Sequence, residues 1–70
     1  MKPQCAQILQ HLSEYGSVTS AEALSFYGIA RCASRVSELN AAGYNIVKEY
    51  EYGKNKFGDS VRYARYYWGK

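Results

Sequence analysis

Arg31, Ser34, Arg35 and Glu38 have the types and the spacing to hold an anion. They fall within two turns of a predicted helix. Stepping ~100° per residue from Val36, Arg31, Ser34 and Glu38 lie within about 40° of the opposite side, and Arg35 lies on the flank. Two guanidiniums and a hydroxyl suit phosphate oxygens or the acceptor edge of a guanine. The arrangement also contains a local conflict. Like charges at i,i+4 repel by a few tenths of a kcal/mol, and a cation in the first turn opposes the helix dipole. An approaching anion relieves both. Without one, Arg35 pairs with Glu38 at i,i+3 and Arg31 is left to solvent.

No other group of residues suggests chemistry. His11 is the single histidine. It has no cysteine or carboxylate at metal-ligand spacing and reads as an exposed helix residue. Cys5 and Cys32 fall on apolar helix stripes, where a free cysteine behaves as a small hydrophobe. There are no clustered carboxylates and no phosphate-binding glycine loop, so no constellation for catalysis forms. The expectation is a protein that is not an enzyme, with no cofactor and no metal.

The 70 residues carry a formal net charge of +3, unevenly distributed. Residues 1–30 hold one basic residue against two acidic ones, whereas residues 31–70 hold eight against four. A basic half implies a polyanionic partner and counts against an acidic mimic of nucleic acid. The length allows one domain, burying about 60% of its unfolded surface. No apolar leader segment and no run of ~20 apolar residues occurs. The expected location is therefore the cytoplasm, with no membrane contact.

The elements that position these residues follow from periodicity. Cys5, Ile8, Leu9 and Leu12 repeat as an amphipathic helix over about 3–15, opened by Pro3 and closed by Gly16. Ser17-Val18 reads as a bridge of extended chain. Thr19 and Glu22 have the spacing of a capping box, with Val18 and Ala23 as a hydrophobic staple. They open a helix over about 20–27, with Ala21, Leu24 and Tyr27 inward and Gly28 at its end. A third helix over about 30–42 places Ile29, Cys32, Ala33, Leu39 and Gly43 within about 60° of Val36. Asn40, near the edge of this stripe, is expected to bond the backbone that follows. The period then becomes alternating. Residues 44–52 and 61–68 read as two strands of a β-hairpin spanning about 45–68, with a turn over Gly53 to Ser60. Its tyrosines read as cross-strand packing pairs.

Helix, bridge, helix, turn, helix and hairpin give an α+β unit that resembles the winged helix-turn-helix domains, and most of all the small ones of bacteriophages and prophages. The similarity runs through Ile8, Leu9 and Leu12, then SVTSAEAL (Ser17 to Leu24) and YGI (Tyr27 to Ile29). It continues through SRVSEL (Ser34 to Leu39), AGYNI (Ala42 to Ile46) and RYARYYW (Arg62 to Trp68). The resemblance implies that the third helix is a recognition helix lying in the DNA major groove. Arg31, Ser34 and Arg35 would then face bases and phosphates, with Glu38 at the edge. It implies that the hairpin is a wing whose tip, Lys54, Asn55 and Lys56, reaches the adjacent backbone or minor groove. Thr19 and the free N–H groups beside it would touch phosphate. The third helix lacks a side-chain N-cap at Ile29 or Ala30.

The expected function is sequence-specific binding of double-stranded DNA by a phage-type transcriptional regulator in a bacterial host cell. Two alternatives remain open at the level of sequence. One is a protein-binding winged helix that docks on a host protein through Tyr63, Tyr67 and Phe57. The other is an excision or architectural factor that bends DNA. Monomer and homodimer are both compatible with the sequence.

Overall fold

Pro3 opens the first helix because its missing N–H costs nothing where that group has no intrahelical acceptor. In the computed structural model, which describes residues 2–69, this helix, α1, spans Pro3–Tyr15. Gly16 closes it at φ 85°, donating its N–H to the Leu12 carbonyl, a conformation in which a Cβ is strained. Next come β1 (Ser17–Thr19), α2 (Ser20–Tyr27) and α3 (Cys32–Ala41). The hairpin strands β2 (Ile46–Lys54) and β3 (Ser60–Trp68) complete the chain. Three helices pack against an antiparallel sheet of strand order β1-β3-β2, the α+β architecture expected. None of the described helices is long and apolar enough to cross a membrane.

Ser17–Thr19 corrects one expectation, because it is a strand rather than a bridge. It pairs antiparallel with β3, setting Val18 opposite Tyr66. Three residues cannot show a period, and the strand they join lies at the far end of the chain. Thr19 then caps α2. Its Oγ1 accepts from the Glu22 N–H at 3.1 Å, and its own N–H donates to Glu22 Oε1 at 3.0 Å. Val18 and Ala23, the staple residues, are both fully buried. The inward face of α2 is Ala23 with Tyr27, whereas Ala21 and Leu24 are exposed. A helix this short has too few apolar positions for its period to fix a face.

The third helix begins at Cys32, not at residue 30. Arg31 is its N-cap, at φ −119° and ψ 57°, and makes no side-chain cap bond. Ile29 is fully buried and its N–H donates to the Ala23 carbonyl, which ties the turn to α2. Asn40 behaves as expected. Its Nδ2 donates to the Ile46 carbonyl at 3.1 Å, and its Oδ1 accepts from the Ile46 N–H at 2.7 Å.

The core lies between the helices and one face of the sheet, built from Cys5, Ile8, Leu12, Val18, Ala23, Ile29, Cys32, Val36, Leu39, Ile46 and Tyr66. His11 joins it, contrary to the expectation of an exposed residue. It is 3% exposed, hydrogen-bonded through Nδ1 with the Tyr27 hydroxyl at 2.7 Å, and packed against the rings of Tyr15 and Phe26. The end of α2 covers that flank of α1, which the period of α1 alone cannot reveal.

Register puts Ile46, Lys48, Tyr50, Tyr52 and Lys54 on one face of the hairpin together with Ser60, Arg62, Ala64, Tyr66 and Trp68. The helices bury this face at Ile46 and Tyr66, while Lys48, Tyr50, Tyr52 and Arg62 nearer the tip are exposed. The hairpin thus extends beyond the bundle.

Candidate nucleic-acid interface

Cys32, Val36 and Leu39 turn inward on α3, so its buried side is centred between Val36 and Leu39. The start of α1 covers the flank next to it. There the Cys5 thiol donates to the Arg35 carbonyl at 3.9 Å and to Glu38 Oε1 at 3.6 Å. Lys2 Nζ donates to Glu38 Oε2 at 2.9 Å, and Arg35 Nη2 lies 3.4 Å from the same oxygen. The hydrogen-bonded Lys2 ammonium, with Arg35 beside it, holds the Glu38 carboxyl below the usual range. Arg35 is largely covered, and its Nε is buried with no hydrogen-bond partner. Of the sequence-predicted residues, Arg35 and Glu38 are therefore brought together in an ion network on the α1 side.

Arg31 is exposed at the N-cap and has no carboxylate partner among the described residues. Ser34 is half-buried. The residues that α3 turns fully outward are Ala33, Ser37, Asn40 and Ala41. Ala33 was expected in the apolar stripe; the shift of the buried side towards Leu39 exposes it. Thr19 is buried, and its hydroxyl is used by the capping box.

Beside α3 runs an open groove of about 240 Å³. Ala33, Val36, Ser37 and Asn40 form one wall, and Ile46, Lys48 and Tyr66 the other. The groove leads onto the exposed part of the same hairpin face. Here the Tyr50 ring collects two cations, Arg62 Cζ at 4.3 Å and Lys48 Nζ at 5.3 Å from its centroid. Lys48, by hydrogen bond and charge, and then Arg62, hold the Tyr50 phenol below its usual range. At the tip Lys54 and Lys56 are exposed, with Lys56 Nζ 5.8 Å from the Phe57 centroid. Asn55 builds the turn, its Oδ1 accepting from the N–H groups of Phe57 and Asp59.

Sequence reading assigned none of Ala33, Ser37, Lys48, Tyr50 and Arg62 to the interface. Alternation along residues 44–52 puts Tyr50 on the same face as Ile46. Adding Arg62 needs the strand register, which depends on where the turn begins. The opposite face of the hairpin is occupied differently. Arg65 bonds Glu51 Oε1 at 2.9 Å and Ser17 Oγ at 3.2 Å, and lies 3.6 Å from Glu22 Oε1. This cluster fastens β1 and α2 to the hairpin. Burial pushes the Cys5 and Cys32 thiols up, which keeps them protonated. Among the described residues no three His, Cys, Asp or Glu side chains gather as a metal site.

A helix-turn-helix pair with a cationic hairpin standing beside its second helix defines a winged helix-turn-helix domain. The chain belongs to the winged helix-turn-helix domain family, whose profile it matches over residues 3–70. Comparison with curated proteins returns no match. Membership of this family supports DNA binding.

Proposed function

We propose that the protein binds double-stranded DNA sequence-specifically, as a transcriptional regulator of the small phage type. In this reading α3 enters the major groove and the wing tip reaches the backbone. The observation that carries it is the convergence of two open surfaces on one groove: the outward side of α3 and a hairpin face bearing Lys48 and Arg62. Arg31 and Ser34 at the start of α3, with Lys54 and Lys56 on the wing, are the proposed contacts. The N–H groups at the start of α2, beside Thr19, add a phosphate site. Arg35 and Glu38 contribute at the edge, where DNA competes for their ion pair.

Fluorescence anisotropy of a labelled duplex pool, titrated at several salt concentrations, tests this proposal. Four to six phosphate contacts give a log–log slope of roughly −3.6 to −5.4, and Lys56→Ala reduces its magnitude by about one. Absence of binding at low salt overturns the proposal. One observation favours a protein partner instead, since Tyr15, Leu24 and Phe26 are 70%, 56% and 66% exposed on α1 and α2. Capture of a host protein that depends on Phe26, with no response to DNA, is the outcome that selects this reading.

A further inference from the structure

The exposed part of the hairpin face carries cations and rings and no acid. Lys48, Tyr50, Tyr52 and Lys54 of β2 share it with Arg62 of β3. Glu49 and Glu51, the only carboxylates on the two strands, alternate onto the other face. At the tip Lys56 and Phe57 continue the series. The register leaves the rings open. Tyr50 stands opposite Ala64 and Tyr52 opposite Arg62, so neither is covered by a second ring. Tyr52 is 75% exposed and Phe57 80%. Tyr52 makes no ring or cation contact with another described residue.

Rings this far from the core add nothing to its packing, and the face of a nucleic-acid base is a partner that matches them. A duplex does not supply that face. Its bases are stacked on one another and show only their edges in the grooves. Its phosphates can engage the lysines, but Tyr52 and Phe57 find little to cover them. An unpaired strand presents base faces and phosphates together, the combination that this surface complements in both shape and charge. The length is sufficient for several nucleotides. Lys48 and Lys54 are six residues apart on one strand, ~20 Å at ~3.4 Å per residue. That distance spans about six nucleotides at the ~3.4 Å spacing of a stacked strand, and fewer if the strand is stretched.

We infer that the exposed face of the wing is a platform for single-stranded nucleic acid. Tyr52 and Phe57 stack on bases, while Lys48, Lys54, Lys56 and Arg62 take the phosphates. The guanidinium of Arg62, restrained against the Tyr50 ring at 4.3 Å, loses little freedom when it engages them. This activity goes beyond the duplex reading. It shares Lys54 and Lys56 with that reading, and it needs neither α3 nor Arg31.

Anisotropy of labelled oligothymidine and oligouridine of about twelve nucleotides, titrated with the full chain, tests it. An abasic strand of equal charge and a blunt duplex serve as comparisons. Both oligonucleotides are expected to bind, with a log–log salt slope of roughly −2.8 from about −0.7 for each of four cations. The abasic strand keeps the slope and binds about tenfold more weakly, because it has nothing to stack. Tyr52→Ala lowers affinity for oligothymidine about tenfold with the slope unchanged, and leaves the abasic strand and the duplex unaffected. Tyr52→Phe keeps the wild-type affinity. Tyr52→Leu, which retains apolar bulk on the strand without a ring, loses as much as the alanine variant, and circular dichroism verifies that each is folded. Arg31→Ala weakens the duplex and spares the single strand. Equal affinity for the abasic and thymidine strands, or wild-type affinity for oligothymidine in both Tyr52→Ala and Tyr52→Leu, overturns the inference. Binding of duplex without single strand overturns it while leaving the duplex reading standing. Binding of single strand without duplex does the reverse, and binding of neither overturns both.

Discussion

Asn40 sets the position of the wing. It lies on the exposed side of α3, yet both ends of its amide are used by the backbone of Ile46, the first residue of β2. Helix and hairpin are thereby locked at the point where the groove begins. Asn40→Ala removes two hydrogen bonds, each contributing roughly 0.5–1.5 kcal/mol. A lower melting temperature by circular dichroism is expected, together with weaker DNA binding at temperatures where the variant is still folded. Asn40→Asp retains the acceptor and falls between the two. A wild-type melting curve for the alanine variant removes Asn40 from this role. The role was legible because a polar residue at the edge of an apolar stripe, just before a strand, has few other partners. Position gave no such help with His11, whose partners Tyr15, Phe26 and Tyr27 reach it partly from another helix.

At the scale of elements, α2 is the one that depends most on its end. It has eight residues, too few to be stable alone, and its capping box makes the first turn self-sufficient. Thr19→Ala is expected to destabilise the fold by ~0.5–2 kcal/mol, at about 4–8 °C in melting temperature per kcal/mol for a domain of this size. Thr19→Ser keeps most of that stability. The two roles assigned to Thr19 separate in one experiment. If capping is its whole contribution, DNA affinity measured where Thr19→Ala is still folded is unchanged. If its hydroxyl touches phosphate, affinity falls while the salt slope stays the same, because an uncharged donor releases no counterion. Helices with an end signal in the sequence, Pro3 and Gly16 for α1 and Thr19 and Gly28 for α2, were legible to the residue. The start of α3 was not, because Ile29 and Arg31 follow a tertiary demand that leaves Arg31 outside the helix. The face of α3 turned to solvent shifted for a related reason, since its seat on α1 is a contact between helices. β1 was invisible because its only signal is a partner at the other end of the chain.

Across the whole molecule, ion networks hold the layers together and decide which cations remain for a partner. Lys2, Glu38 and Arg35 join α1 to α3, and Glu22, Arg65 and Glu51 join α2 to the hairpin. The positive charge left without a carboxylate partner among the described residues lies at Arg31, Lys48, Lys54, Lys56 and Arg62. Four of these five are on the wing, so the modest net charge understates the field that the hairpin presents. The networks also carry a pH dependence of known sign. The bonded Arg65 guanidinium holds the Glu51 carboxyl below its usual range, as Lys2 does for Glu38. A carboxyl with a depressed folded value binds fewer protons in the folded state. Its stabilisation is therefore full above the unfolded value of about 4.3 and is lost as pH falls through the folded one. Melting temperature is expected to hold between about pH 7 and pH 5 and to drop on further acidification. Glu51→Gln removes one of the titrating groups, so this variant starts lower at pH 7 and loses less on acidification than the wild type. Parallel acid curves for the two proteins exclude the Glu51–Arg65 pair as a source of the drop. A smaller drop in Glu51→Gln shows that the ion pair fastening the wing is what acid loosens, and DNA affinity measured over the same pH range then reports how far the wing must be held for binding.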